Sequence, residues 1–252
     1  MLLSSNQASL SNEALALTAK GTATKGTATK GTAQKRVVHK SIFNMLACDQ
    51  HHELRPVVDD FIAKGFKSHY QASISVSMPY LIALQQGQLK AALGVRSARD
   101  TLFTQQYLDS PIVDILAKLE KGVFQHSIEA HQVAEIGHLY SNAKMFTLPL
   151  MLVTAVTLHM QGFRYMVFTG TEHLIQLIEK TGVDVHLLAN ANQARLIDST
   201  QDWGTYYDTQ PKVAAISLSQ VLQVIDSDLK LNDMFQALAT QIAKVAHQLS
   251  GL

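Results

Sequence analysis

A single carboxylate stands among small and apolar residues in the run Val133-Ala134-Glu135-Ile136-Gly137-His138-Leu139-Tyr140-Ser141. The run reads as a β-strand. Strict alternation sets Val133, Glu135, Gly137, Leu139 and Ser141 on one face, and Ala134, Ile136, His138 and Tyr140 on the other. If the Glu135 face is buried, loss of water disfavours the charged acid, raises its pKa and makes it a usable base near neutrality. The same spacing allows an edge or salt-bridged glutamate. Gly137 marks a place for a bulge.

Two further places carry charge at useful positions. In Gly94-Val95-Arg96-Ser97-Ala98-Arg99, Arg96 leaves the end of an expected hairpin strand. There its planar fork could hold a carboxylate or phosphate, or it could simply be a surface arginine in a turn. In Ser141-Asn142-Ala143-Lys144-Met145-Phe146, a strand runs into a helix. The free N–H groups of a helix start attract anions, and Lys144 adds charge, although the segment lacks a Gly-rich phosphate cradle. The cluster Trp203-Gly204-Thr205-Tyr206-Tyr207 fits either an acyl pocket or aromatic packing under a loop.

Other patterns fail on geometry. His126 and His131 flank Ser127-Ile128-Glu129-Ala130. Their five-residue spacing turns them roughly 140° apart on a helix, and the run matches neither H-E-x-x-H nor H-x-x-E-H. The side chains of His51 and His52 diverge on regular structure, so no metal site is expected. The single cysteine, Cys48, has no base near it in sequence and reads as a buried apolar thiol. One cysteine excludes an internal disulfide framework and fits a reducing compartment. G-x-S-x-G is absent, which disfavours a lipase-type serine hydrolase.

Positioning these residues requires a mixed sheet. Strands are expected at 37–46, 75–84, 89–96, 132–141, 165–169, 183–188 and 212–218, with the second and third forming a hairpin across Gly87. Helices are expected at 52–70, briefly after Pro111, at 143–161 up to Gly162, at 172–180 and, as an amphipathic C-terminal helix, at 232–249. The hairpin implies antiparallel pairing early in the chain. Strands interleaved with helices imply parallel crossovers later. The expected fold class is α/β, a mixed central sheet with helices on both faces.

Charge and composition narrow the function classes. Residues 1–40 hold six Lys/Arg against Glu13 alone, leaving 15 basic and 19 acidic residues, about −4, in the rest. That balance does not suit a nucleic-acid binder. The repeat KGTATKGTATKGTAQK at 20–35 has no bulky apolar side chain to offset backbone entropy, so residues 1–35 read as a flexible low-complexity tail, dispensable for folding. The body is expected over 36–228, followed by the C-terminal helix at 229–252. The N-terminus lacks a basic n-region and an apolar h-region. The longest apolar run, Met145–Met160, is short of the roughly 20 residues of a bilayer span. A cytoplasmic protein with no integral membrane span is expected.

Five segments in this order resemble the bacterial thermostable hemolysin family over roughly residues 40–225. They are Pro79–Leu84, Ala91–Ala98 (AALGVRSA), Leu102-Phe103 through Gln106–Ile112, Glu135–Ser141 (EIGHLYS) and Trp203–Tyr207. That family is similar to acyl-homoserine-lactone synthases and to the wider GNAT acyltransferases, and the resemblance implies a GNAT-like core. In the synthases a hairpin strand ends in an arginine, matched by Arg96. A later strand carries a glutamate followed three residues on by an arginine. Glu135 matches the first and His138 stands at the second, a departure that speaks against S-adenosylmethionine as substrate. The GNAT signature Q/R-x-x-G-x-G/A is missing from Ser141–Phe146, which weakens coenzyme A as donor and leaves an acyl carrier protein as partner.

The resemblance implies a thioester-dependent N-acyltransferase acting on a small amine or amino acid. No permanently bound cofactor is expected. The co-substrate is an acyl thioester, acyl-ACP or acyl-CoA. In this reading Glu135 is the base, and Tyr140 or Tyr207 protonates the thiolate. Arg96, His138 and Trp203 hold the acceptor, and Leu139, Ser141, Asn142, Lys144 and Phe146 lie along the donor. The alternatives are a membrane-active hemolytic effector and a non-catalytic protein that binds acyl thioesters. Pore formation would need secretion and an inserting segment, neither of which the sequence shows.

Overall fold

The computed structural model describes residues 43–119, 127–197 and 201–252. The expected tail at 1–35 and the start of the first expected strand lie outside these residues. The elements are β1 (Asn44–Cys48), α1 (Arg55–Tyr70), β2 (Tyr80–Gln86), β3 (Gln88–Ser97), α2 (Ile112–Ala117), β4 (Val133–Ser141), α3 (Thr147–Met160), β5 (Tyr165–Gly170), α4 (Glu172–Glu179), β6 (His186–Asn190), β7 (Lys212–Ser217), α5 (Leu218–Ser227) and α6 (Leu229–Gln248).

The strands form one sheet in the order β1-β2-β3-β4-β5-β7-β6. Its pairs are antiparallel except β4–β5. This is the expected α/β class, a mixed central sheet with helices on both faces. The expectation of several parallel crossovers is corrected: β7 inserts between β5 and β6, antiparallel to both, so among the described residues only β4–β5 is a parallel pair. A helix at Leu218–Ser227, not anticipated, follows β7 directly.

Each sheet face is covered. Helix α1 starts with a proline in its first turn and ends at Gln71 in the left-handed conformation (φ 58°). Its buried stripe of Val58, Ile62 and Phe66 recurs every four residues and packs on Leu81, Ala83 and Ala92. Burying each such side chain contributes roughly 1.5–3 kcal/mol. On the opposite face, α3 is buried from Pro149 to Leu158. An all-round apolar sequence suits that position. Its two buried threonines are satisfied locally, Thr154 donating to Leu150 O at 2.8 Å and Thr157 to Val153 O.

Helix α6 closes the β1 edge with side-chain amides. Gln241 Oε1 accepts Met45 N at 2.8 Å, and Gln248 Oε1 accepts Ala47 N at 2.9 Å. Alternate outward N–H groups of an edge strand are thereby occupied.

Two strand expectations shift. Residues 73–79 form an irregular strap rather than the start of β2. Arg55, buried on α1, donates to Met78 O at 2.7 Å and Pro79 O at 3.2 Å and so holds the strap away from the ladder. The expected strand at 183–188 lies later, at His186–Asn190. Among the described residues no helix is long and apolar enough to cross a membrane, and no group of three or more His, Cys, Asp or Glu could hold a metal ion.

Candidate active site

The parallel ladder between β4 and β5 is short. It runs from Val133↔Tyr165 to Ile136↔Phe168 and stops. Beyond it the two strands separate, so the backbone of Gly137–Ser141 has left the ladder on its β5 side. A cavity of about 360 Å³ occupies the gap.

At this point β4 is bulged. The β3–β4 register shifts between Ala92 and Gly94, and His138 takes φ 52°, a left-handed conformation unusual for a non-glycine residue. The bulge corrects the face assignment made from strict alternation. His138 lies against Trp203 and Phe66, and Tyr140 against Phe61 on α1, so both share the Glu135 face. Leu139 turns to the α3 side and packs on that core, and Ser141 pairs with Ala91, which belongs to the same core. The glycine before His138 was the one signal of this in the sequence. A methyl at Gly94 or Gly137 would meet the Met78 side chain, which the strap lays over the bulge.

Glu135 is 1% exposed and faces Arg96 across the β3–β4 pair. Its Oε1 accepts Thr104 N at 2.6 Å and its Oε2 accepts Phe103 N at 2.9 Å. Burial pushes its pKa up, against the opposing pull of these two N–H groups and of Arg96. The Arg96 guanidinium is 3.8 Å from Oε2, while Nη1 donates to Thr101 O and Nη2 to Ser77 O, each at 2.9 Å. Arg96 thus ties two loops together beside the carboxylate, an occupation the sequence did not suggest.

The cavity has two unlike halves. On the α1 side it is lined by Glu135, Arg96, His138, Thr169, Trp203 and Tyr206, with Phe66 and Tyr70 behind. The Trp203 and His138 rings lie nearly parallel, 18° apart with centroids at 6.4 Å. Burial pushes the His138 pKa down to about 4, so the ring is neutral at pH 7. On the α3 side the walls are Leu139, Phe168, Leu174 and Leu177, with exposed Lys144 and His173 at the rim.

Tyr140, Ser141 and Lys144 also line the cavity. Three residues suggested by the sequence do not. Asn142 is exposed and turns its amide to Leu89 O, Phe146 is buried in the α3 core, and Tyr207 stands behind Tyr107 with the two hydroxyls 2.6 Å apart. Tyr107 itself reaches the cavity, and burial raises its pKa. Met78, Thr169 and Gln201 have no local motif that would have found them; tertiary contact alone brings them here.

Residues 48–222 match the family model described as thermostable hemolysin. The chain belongs to the thermostable hemolysin family. No curated protein matches the sequence. Three solved structures are similar to this family member at low identity. The AHL synthase LasI is 13% identical, the match covering 70% of this chain and 90% of that one at a TM-score of 0.47. The CoA-dependent acyl-homoserine lactone synthase BjaI, solved with SAM and isopentyl-CoA, is 10% identical over 73% and 89% at 0.48. FeeM, an N-acyl amino acid synthase from uncultured soil microbes, is 10% identical over 70% and 93% at 0.42.

Proposed function

We propose that the protein is an N-acyltransferase that moves an acyl chain from a thioester to a small amine or amino acid. The observation that carries this is the cavity that passes through the sheet where β4 and β5 part, apolar on the α3 side and polar with aromatic walls on the α1 side. An acyl chain fits between Leu139, Phe168 and Leu174, and a nucleophile fits beside Glu135 and Trp203. The thioester carbonyl then lies at the bulge, where strand N–H groups that have left the ladder can donate to a developing oxyanion.

The amine nitrogen attacks the carbonyl carbon, and a tetrahedral intermediate forms. It collapses with cleavage of the C–S bond to give amide and thiol. The proton lost from nitrogen passes to Glu135, directly or through water, and the thiolate takes a proton from Tyr140. The donor is acyl-ACP or acyl-CoA, its carrier end near Ser141 and Lys144 at the rim. An amphiphilic amide product would account for lysis without any inserted protein segment.

The test is amide formation by purified protein from acyl-ACP and acyl-CoA of several chain lengths with a mixture of amines and amino acids, read by mass spectrometry. Glu135→Gln, at a fold matched by circular dichroism, should lose about 10²–10⁴-fold in rate, least at high pH where the amine is already free. No amide from any donor overturns the assignment, and an unchanged rate in folded Glu135→Gln removes Glu135 as the base.

A further inference from the structure

Among the described residues, and leaving aside Thr104, whose side chain lies against Glu135, four buried side-chain polar atoms have no partner in the protein: His138 Nδ1, His159 Nδ1, Thr169 Oγ1 and Gln201 Oε1. All but His159 belong to residues lining the cavity at the β4–β5 gap. Buried polar groups are ordinarily hydrogen-bonded, so a cluster left open around one cavity points to a ligand that completes them. Three of these residues, His138, Thr169 and Gln201, share that cavity with the rings of Trp203, Phe66 and Tyr206.

Positive charge on this side is already matched within the protein. Both terminal nitrogens of Arg96 donate to backbone carbonyls, and its charge stands 3.8 Å from Glu135. His138 is neutral at pH 7. The other basic residues of the wall, His69, Lys144 and His173, are exposed at the rim. A carboxylate brought in here would lose its water and meet no uncompensated cation, which is strongly unfavourable. An amine brings N–H donors for open acceptors and a cation that the aromatic faces and Glu135 attract.

We infer that the acceptor is a primary amine with an apolar or aromatic body and no carboxylate, its body against Trp203, Phe66 and Tyr206 and its polar groups on His138, Thr169 and Gln201. This rests on the acyl-transfer reading of the same cavity, and it narrows amine or amino acid to amine. Arg96 then positions loops instead of binding substrate.

Trp203 is the protein's single tryptophan, so its fluorescence reports on this wall alone. Full-length protein is titrated with 2-phenylethylamine and with L-phenylalanine, which differ only by the carboxylate, and then with isopentylamine against L-leucine. Each amine should bind at least about tenfold more tightly than its amino acid, and Thr169→Val should weaken amine binding while leaving the melting temperature in place. Equal or tighter binding of the amino acids, or no response of Trp203 to any probe, overturns the inference. The titration needs no donor, so the two readings fail separately. Amine binding with no amide from any thioester keeps the amine site and removes acyl transfer. Amide formed from amino acids alone keeps acyl transfer and removes the amine preference.

Discussion

Gly65 on α1 meets the ring of Tyr140 on β4, and the closeness of that approach sets a measurable energy. A methyl group built at Gly65 would fall on Cγ, Cδ1 and Cδ2 of the ring. These atoms are the stem of the side chain, not a tip that can bend aside. Phe61 confines the ring as well, with centroids 5.1 Å apart. Overpacking of this kind costs about 1–3 kcal/mol, here nearer 3 because the ring cannot turn away. Replacing a helical glycine by alanine returns about 1 kcal/mol of helix propensity. The net for Gly65→Ala is about 2 kcal/mol of destabilisation, or roughly 4–8 °C in Tm for a chain of this size. In a Tyr140→Ala background the clash is gone, and the same substitution should be neutral or stabilise by up to about 1 kcal/mol. The coupling energy of the cycle is therefore about 3 kcal/mol. Urea unfolding midpoints at constant slope measure it. If Gly65→Ala costs the same in both backgrounds, or stabilises the otherwise native protein, the helix does not ride on Tyr140 and the account of this wall is wrong.

Other expectations concern charge, backbone and reactivity. His138 has its pKa depressed from 6.5 to about 4, so its contribution to stability is present above pH 6.5 and is lost as pH falls through about 4; the loss is up to about 3 kcal/mol. His138→Asn, which tolerates the left-handed backbone, should flatten that part of a urea–pH profile, and an unchanged profile would reject the cause. Gly204→Ala places a methyl against the Tyr70 carbonyl and Ala72 N at φ 51°, and calorimetry should show a loss of roughly 1–3 kcal/mol. Burial raises the Cys48 thiol to about 11, so a chromogenic disulfide reagent should modify it only once urea unfolds the protein; fast modification of native protein would contradict the burial. Purified protein freed of lipid and thioester should leave red cells intact, and lysis at micromolar concentration would favour a direct membrane effector.

Much of the scaffold was legible because it rests on local rules. The Gly87 hairpin, the apolar spacing over 52–70 that became α1 and the long apolar run that became α3 each follow from pattern and punctuation. Glu135 could be singled out because one carboxylate in an apolar strand has few explanations. Its two N–H partners could not, since Phe103 and Thr104 lie about thirty residues away in sequence. The face of His138 was misassigned because alternation assumes an unbroken ladder, and a bulge of one residue reverses every side chain after it. The insertion of β7 between β5 and β6 was equally hidden, because chain order says nothing about which strands become neighbours.

The parting of β4 and β5 also has a mechanical meaning. Among the described residues, the stretch from Val133↔Tyr165 to Ile136↔Phe168 alone stitches the first four strands of the sheet to the last three, so the two leaves meet along just four paired positions. An occupant of the gap would act as a splint, bridging the two leaves where the ladder leaves off. Amide exchange at Gly137–Ser141 should then slow when the gap is filled and barely change at Met45–Cys48 on the far edge. Heat resistance in such a molecule would depend on what fills the sheet as well as on the chain.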